Sequence, residues 1–153
     1  MEKVKIGVIE NIYNVYRTMK NEYLIECAVG GHTISITNFE FYERMSEETN
    51  CFVGDLVLDG NIVGECNNEG RGGCSSYYAP KNWELAKEIE SILTQTENYC
   101  FPKFKLNLYD VIDNLADLMI MFQINKVKTI SMAIKVINHI QASADKYRAK
   151  YSV

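Results

Sequence analysis

The chain has 153 residues, of which 47% are hydrophobic and 24% charged, with a formal net charge of −4. That length fits one domain burying roughly two-thirds of its unfolded surface, and the apolar share excludes wholesale disorder. No stretch approaches the roughly 20 apolar residues of a membrane span, and the charged start, Met1 to Lys5, lacks a signal-peptide core, so a cytoplasmic protein without a membrane partner is expected.

Val4, Ile6 and Val8 alternate with Lys3, Lys5 and Gly7, the period of a half-buried strand. A second β-rich run covers Tyr23 to Val29. Gly30-Gly31 separates it from His32 to Phe39, where Ile34 and Ile36 share a face. Two glycines supply the positive φ that a tight hairpin turn needs. Phe52 to Leu58 is a further strand, turned by Asp59-Gly60 into Ile62 to Cys66. An antiparallel meander is the economical reading.

The second half changes period. From Asn82 to Gln95, Leu85, Ala86, Ile89, Ile92 and Leu93 form a helical stripe, with Asn82 as N-cap. From Asn107 to Phe122, apolar residues recur in steps of three and four from Leu108 to Phe122, and Asn107 with Asp110 imitates a capping box. Between these helices, Tyr99, Phe101 and Phe104 around Pro102 suit a short edge strand. Thr129 to Ile137 is β-branched enough for a strand. Yet Ala133, Ile137, Ile140, Ala144, Tyr147 and Tyr151 continue a helical stripe, which favours helix from about Ser131 onward. The expected fold class is α+β: a meander sheet from the N-terminal half packed on two or three C-terminal helices, as a single domain over residues 1–153.

The chemistry-bearing residues are sparse. Five cysteines are present, without a Cys-x-x-Cys pair. An odd count in a cytoplasmic chain argues against a disulfide framework, and Cys66 and Cys74 lack zinc spacing. His32 stands in His-x-Thr, half of a two-histidine phosphoesterase pattern, but His139 lies in Asn-His-Ile-Gln. Asp110, Asp113 and Asp117 share a helix face, a spacing open to Mg²⁺ or to simple stabilisation by the helix dipole. No cofactor or metal is expected.

Six of the nine glycines lie between Gly54 and Gly73. The densest part runs from Asn67 to Ser76. Its candidate binding residues are Asn68, Gly70, Arg71, Gly72, Gly73 and Ser75, with Tyr77 and Tyr78 beyond. Successive N–H groups in such a loop can converge on an anion, and Arg71 adds a forked cation. No Gly-Lys-Ser/Thr follows, and Ser75 replaces the third glycine of a dinucleotide fingerprint. A plain structural turn at a sheet corner accounts for the same residues.

Charge is segregated. Residues 1–125 carry 10 Lys/Arg against 19 Asp/Glu, whereas residues 126–153 carry 6 against 1. On a helical wheel Lys128, Lys135, His139, Lys146 and Lys150 fall within about 60° of arc beside the apolar stripe. This basic face suits an acidic protein, a nucleic-acid backbone, the protein's own acidic body, or solvent alone. A pI near 5.2 argues against a dedicated nucleic-acid binder. The apolar side of the same helix suits a homodimer.

Several segments together resemble a family of small uncharacterised proteins of bacteriophages and prophage-bearing bacteria. They are Ser46-Glu47-Glu48-Thr49 with Cys51-Phe52, Leu56-Val57-Leu58-Asp59-Gly60, Val63-Gly64, and Asn68-Glu69-Gly70-Arg71-Gly72-Gly73-Cys74. Tyr77-Tyr78 in a turn, Trp83 at a helix start and the acidic helix from Asp110 to Asp117 are similar too. The resemblance covers roughly residues 36 to 130. It implies a strand after Lys128-Thr129, and a genetic setting rather than a mechanism.

Three functions follow in order of preference. The first is a non-enzymatic phage-type inhibitor that binds a host protein or ribonucleoprotein complex of bacterial defence or regulation, for example as an anti-CRISPR protein. The second is a binder of a nucleotide second messenger, with Arg71 on phosphate and Tyr77 or Tyr78 on the base. The third is a metal-dependent phosphoryl-transfer enzyme using Asp110, Asp113, Asp117 and His32.

Overall fold

The computed structural model describes residues 2–152. Seven strands form one antiparallel sheet in chain order: β1 (Lys3–Ile9), β2 (Tyr13–Thr18), β3 (Tyr23–Val29), β4 (His32–Phe41), β5 (Phe52–Leu58), β6 (Asn61–Asn68) and β7 (Ser76–Tyr78). Three helices follow: α1 (Trp83–Leu93), α2 (Leu108–Ile124) and α3 (Ile130–Tyr151). The fold is α+β, a meander sheet with C-terminal helices, as the two periodicities indicate.

The hairpin turns form where glycine permits them. Gly30 and Gly31 take φ of 55° and 80°, and Val29 pairs with His32 across them. Asp59 and Gly60 do the same between Leu58 and Asn61. β2 and β7 add to the strands expected from the sequence. The turn before β2 is made by Glu10 and Asn11, whose φ values are 53° and 65° without a glycine.

Alternation sends one set of side chains to the helices. Ile9, Val15, Ile25, Ile34 and Leu56 share one core with Ile89 of α1, Ile112 and Leu115 of α2, and Ala133 and Ile137 of α3. A bulge between Lys5 and Gly7 brings Gly7 under α3. A Cβ on Gly7 would lie 3.0 Å from Ile137 Cδ1.

The helix starts carry the expected caps. Asn82 accepts from the Leu85 N–H at 3.1 Å, and Asn107 from the Asp110 N–H at 2.8 Å. Residues 129–137 form no strand. Thr129 is the N-cap of α3, accepting from the Met132 N–H at 3.2 Å, and the stripe through Ala133 and Ile137 packs on β1. The strand implied after Lys128-Thr129 is therefore corrected: burial of that helical stripe decides over β-branched propensity. The expected edge strand around Pro102 is absent as well. Phe101 to Phe104 form a turn, and Glu97 and Lys105 make one isolated bridge.

Candidate functional site

Two connections meet at one end of the sheet. The β4–β5 connection carries Ser46-Glu47-Glu48-Thr49, and the β6–β7 connection carries the glycine loop. Asn68, only 6% exposed, joins them. Its Oδ1 accepts from Thr49 Oγ1 and from the Gly70 N–H, both at 2.8 Å. Its Nδ2 donates to the Gly73 carbonyl at 3.0 Å and to Ser75 Oγ at 3.3 Å. The Gly70 carbonyl in turn accepts from the N–H groups of Glu47 and Glu48 at 3.0 Å each. Two motifs that are separate in sequence thus form one clasp.

Positive φ favours glycine at two positions of the loop, and at Gly70 the contact with backbone demands it as well. At Gly70, with φ of 82°, a Cβ would lie 2.3 Å from the Met45 carbonyl oxygen. At Gly72, with φ of 98°, it would lie 2.3 Å from Glu48 Oε2. The Gly72 N–H donates to Thr49 Oγ1 at 3.3 Å. The Gly70 and Gly72 donors are thus engaged within the clasp, not held out toward an anion.

The predicted loop residues separate accordingly. Asn68, Gly70, Gly72, Gly73 and Ser75 belong to the clasp, and Ser75 is fully buried with its hydroxyl donating to Asp113. Arg71 is exposed and makes no hydrogen bond or ion pair among the described residues. Tyr77 and Tyr78 point to opposite faces of β7. Tyr77 packs inward on Tyr109, ring centroids 5.0 Å apart, and its hydroxyl donates to Glu90 at 3.3 Å. Tyr78 is 63% exposed, opposite Glu65 on β6.

Arg71 overlooks a groove of about 560 Å³ lined also by Tyr42, Met45, Val53, Glu65 and Asn67. Met45 is 57% exposed, and Tyr42 and Val53 are exposed too. Sequence reasoning missed Tyr42, Met45, Val53 and Glu65. Val53 and Glu65 lie on the strand face away from the helices, a face their alternation in β5 and β6 already marked.

On the helix side of the clasp lies an acidic pocket of about 420 Å³ that includes Glu47, Glu48, Asp113 and Asp117. Among the described residues no three His, Cys, Asp or Glu side chains converge as a metal site. The three aspartates of α2 have separate tasks. Asp110 stands in the first turn of α2, where its N–H donates to Asn107 Oδ1, Asp113 takes the Ser75 hydroxyl, and Asp117 accepts from Asn50 Nδ2 at 3.1 Å. His32 bonds Asp59 through Nδ1 at 2.8 Å, at the β3–β4 turn. Burial pushes the thiols of Cys27 and Cys66 up to about 12, and Cys74 stands exposed apart from Cys66.

Desolvation holds the Asp117 carboxyl above its ordinary 3.8; the Asn50 hydrogen bond opposes this and the Asp113 charge adds to it. Burial raises Asp110 as well, against the lowering effect of the nearby Asn107 backbone. A carboxyl raised in this way binds its proton more tightly when folded. Its contribution to stability therefore falls as pH rises through the folded value, and returns on acidification toward 3.8. Denaturant unfolding between about pH 4 and 7 is expected to show this slope. Asp117 is an exposed residue and burial raises Asp110 and Glu10 too, so Asp117→Asn, which keeps an acceptor for Asn50, is expected to lessen the slope without abolishing it; an unchanged slope would contradict the assignment.

The basic residues form a second, distant group. Lys135, His139, Lys146 and Lys150 are exposed on α3, while Lys128 precedes the N-cap and lies off the helix. The four are on the side of α3 opposite Ala133, Ile137 and Ala144, rather than beside that stripe. α3 packs on β1, whereas the clasp ties the β4–β5 connection to the β6–β7 connection, so the two groups sit toward opposite edges of the sheet. Comparisons of the chain with protein-family models, curated proteins and solved structures found no match.

Proposed function

We propose that the protein is a non-enzymatic inhibitor of the phage or mobile-element type, which binds and disables a bacterial defence or regulatory complex; anti-CRISPR action is one concrete form. The observation that carries this reading is the unpaired Arg71 above a preformed groove edged by Tyr42, Met45 and Val53. Arginine and tyrosine dominate binding hot spots, and a rigid frame lowers the entropy cost of docking. The clasp supplies that frame, since neither connection can shift without breaking buried hydrogen bonds. The phage-type setting rests on the sequence resemblance, whose two most specific segments are the two halves of the clasp. The alternative of nucleotide sequestration keeps Arg71 but has lost the Gly70 and Gly72 donors and the inward-facing Tyr77 to internal contacts.

The test is an interference assay in bacteria carrying a defined defence system, paired with co-purification of that system's tagged complex. The parent is expected to co-purify and to relieve interference. Arg71→Ala with Tyr42→Ala is expected to weaken binding at least about 10-fold, the loss of one hot-spot residue's worth of contact, without changing the melting temperature. Full interference across a panel of defence systems, with no complex recovered, would reject the inhibitor reading. Unaltered binding by the double variant would move the interface away from the groove.

A further inference from the structure

The segment from Tyr99 to Lys105 is far from the end of α3 in sequence, yet the two pack together. Phe101 stacks at a tilt on Tyr151 with ring centroids 4.9 Å apart, and on Tyr147 at 6.2 Å. The Tyr147 and Tyr151 rings are nearly parallel, at 7° and 6.2 Å. All three rings are substantially exposed, Tyr147 by 50%, and Phe104, three residues after Phe101, by 67%. Large apolar rings in this state are uncommon on a surface without a purpose.

The patch is held from beneath. Arg148 Nη1 bonds Glu97 Oε1 at 2.6 Å and the Tyr99 carbonyl at 3.1 Å, with its guanidinium 4.8 Å above the Tyr99 ring. Asp145 accepts from the Tyr99 hydroxyl and from Gln141 Nε2. Gln141 Oε1 takes the Glu10 N–H at 2.7 Å, which ties α3 to the β1–β2 turn. The carboxylates Glu97 and Asp145 are thereby occupied. Lys103, Lys105, Lys146 and Lys150 form no ion pair among the described residues, and Lys150 Nζ lies 5.2 Å from the Tyr151 ring.

We propose that this surface, the exposed rings of Phe101, Tyr147 and Tyr151 with unpaired Lys150 beside them and Lys103, Lys105 and Lys146 on the same two segments, binds single-stranded nucleic acid. Unpaired bases have free faces for stacking on the rings, while a duplex hides them. Ammonium groups on both the 99–105 segment and α3 meet the phosphates. Outside the 99–105 segment, the residues up to 125 carry 19 Asp/Glu against 8 Lys/Arg, and would keep a strand off that part of the chain. The pI near 5.2 reports the whole chain and conceals this local field. The site is separate from the groove at Arg71 and does not depend on the inhibitor reading.

The test uses the full chain and a fluorescent oligothymidylate in anisotropy titrations at physiological salt and across a salt series. Binding is expected in the roughly 10⁻⁶ to 10⁻⁴ M range of sequence-independent contacts, weakening with salt at a slope of about −0.7 per phosphate neutralised. Lys146→Glu with Lys150→Glu, and separately Tyr147→Ala with Tyr151→Ala, are each expected to weaken it at least about 10-fold. Arg71→Ala is expected to bind the oligonucleotide like the parent, which separates this result from the groove's. No binding in that range would overturn the proposal, as would binding that either double variant leaves intact. Equal competition by duplex DNA would remove the stacking role, and displacement by poly-glutamate at matched charge would assign the patch to an acidic protein instead.

Discussion

Gly64→Ala is expected to destabilise the fold by about 3 kcal/mol or more, at the upper end of what overpacking costs. Gly64 lies in β6 opposite Leu56, next to a register shift. A Cβ there would lie 1.8 Å from the Tyr78 carbonyl oxygen, 2.8 Å from its carbon and 2.9 Å from the Ala79 Cα. All three are backbone atoms, so no side-chain rotation relieves the clash. Relief requires moving β7, which has three residues and, among the described residues, only β6 as its neighbour. Ala79, fully buried, would move with it. So would the approach to α1, where the Lys81 N–H donates to the Val63 carbonyl at 3.1 Å. For a domain of this size the melting temperature should fall by roughly 6–12 °C. Gly73→Ala is the matched control: a Cβ there meets nothing within 4 Å, and its effect is expected within about ±0.5 kcal/mol. Similar effects from the two substitutions would show that β7 does not cross β6 this closely.

The same closeness explains which parts of the molecule are legible in the sequence. Strands joined by Gly-Gly and Asp-Gly are legible because those residues announce positive φ. β2 is not, because Glu10, Asn11 and Asn21 take positive φ at its two ends and no glycine marks them. Helices with Asn caps and a clean stripe are legible. Residues 129–137 fit two periods, and the burial of Ile137 against Gly7, near the other end of the chain, settles them. In the site, residue types are legible and roles are not. Nothing in the spacing of Thr49 and Gly72 tells that the hydroxyl of one takes the N–H of the other. The opposed roles of Tyr77 and Tyr78 follow at once from the period of two, but only after Ser76–Tyr78 is known to be a strand. The aromatic patch is legible only in three dimensions, since its two halves read separately as a short strand and the end of a helical apolar stripe.

Asn68→Ala is expected to cost about 2–4 kcal/mol, more than a loop residue usually does. The substitution removes an acceptor used by Thr49 Oγ1 and the Gly70 N–H, and a donor used by the Gly73 carbonyl and Ser75 Oγ. At 6% exposure, water has little access to replace either. Urea denaturation measures the loss, and amide exchange at Gly70 and Gly72 locates it: both N–H groups are expected to lose protection before the central strands do. Asn68→Asp separates the two functions of the amide. It preserves the acceptor, removes the donor and places a carboxylate near Asp113, whose partner Ser75 it adjoins. Burial and the Asp113 charge would raise the new carboxyl's pKa, so its proton is held more tightly in the folded state. Asn68→Asp should therefore regain stability as pH falls from neutrality toward about 4, where the protonated form donates again. Asn68→Ala should show no such recovery beyond the parent's own slope. If both variants cost less than about 1 kcal/mol, the two connections are held by their backbone alone and Arg71 has no rigid mount.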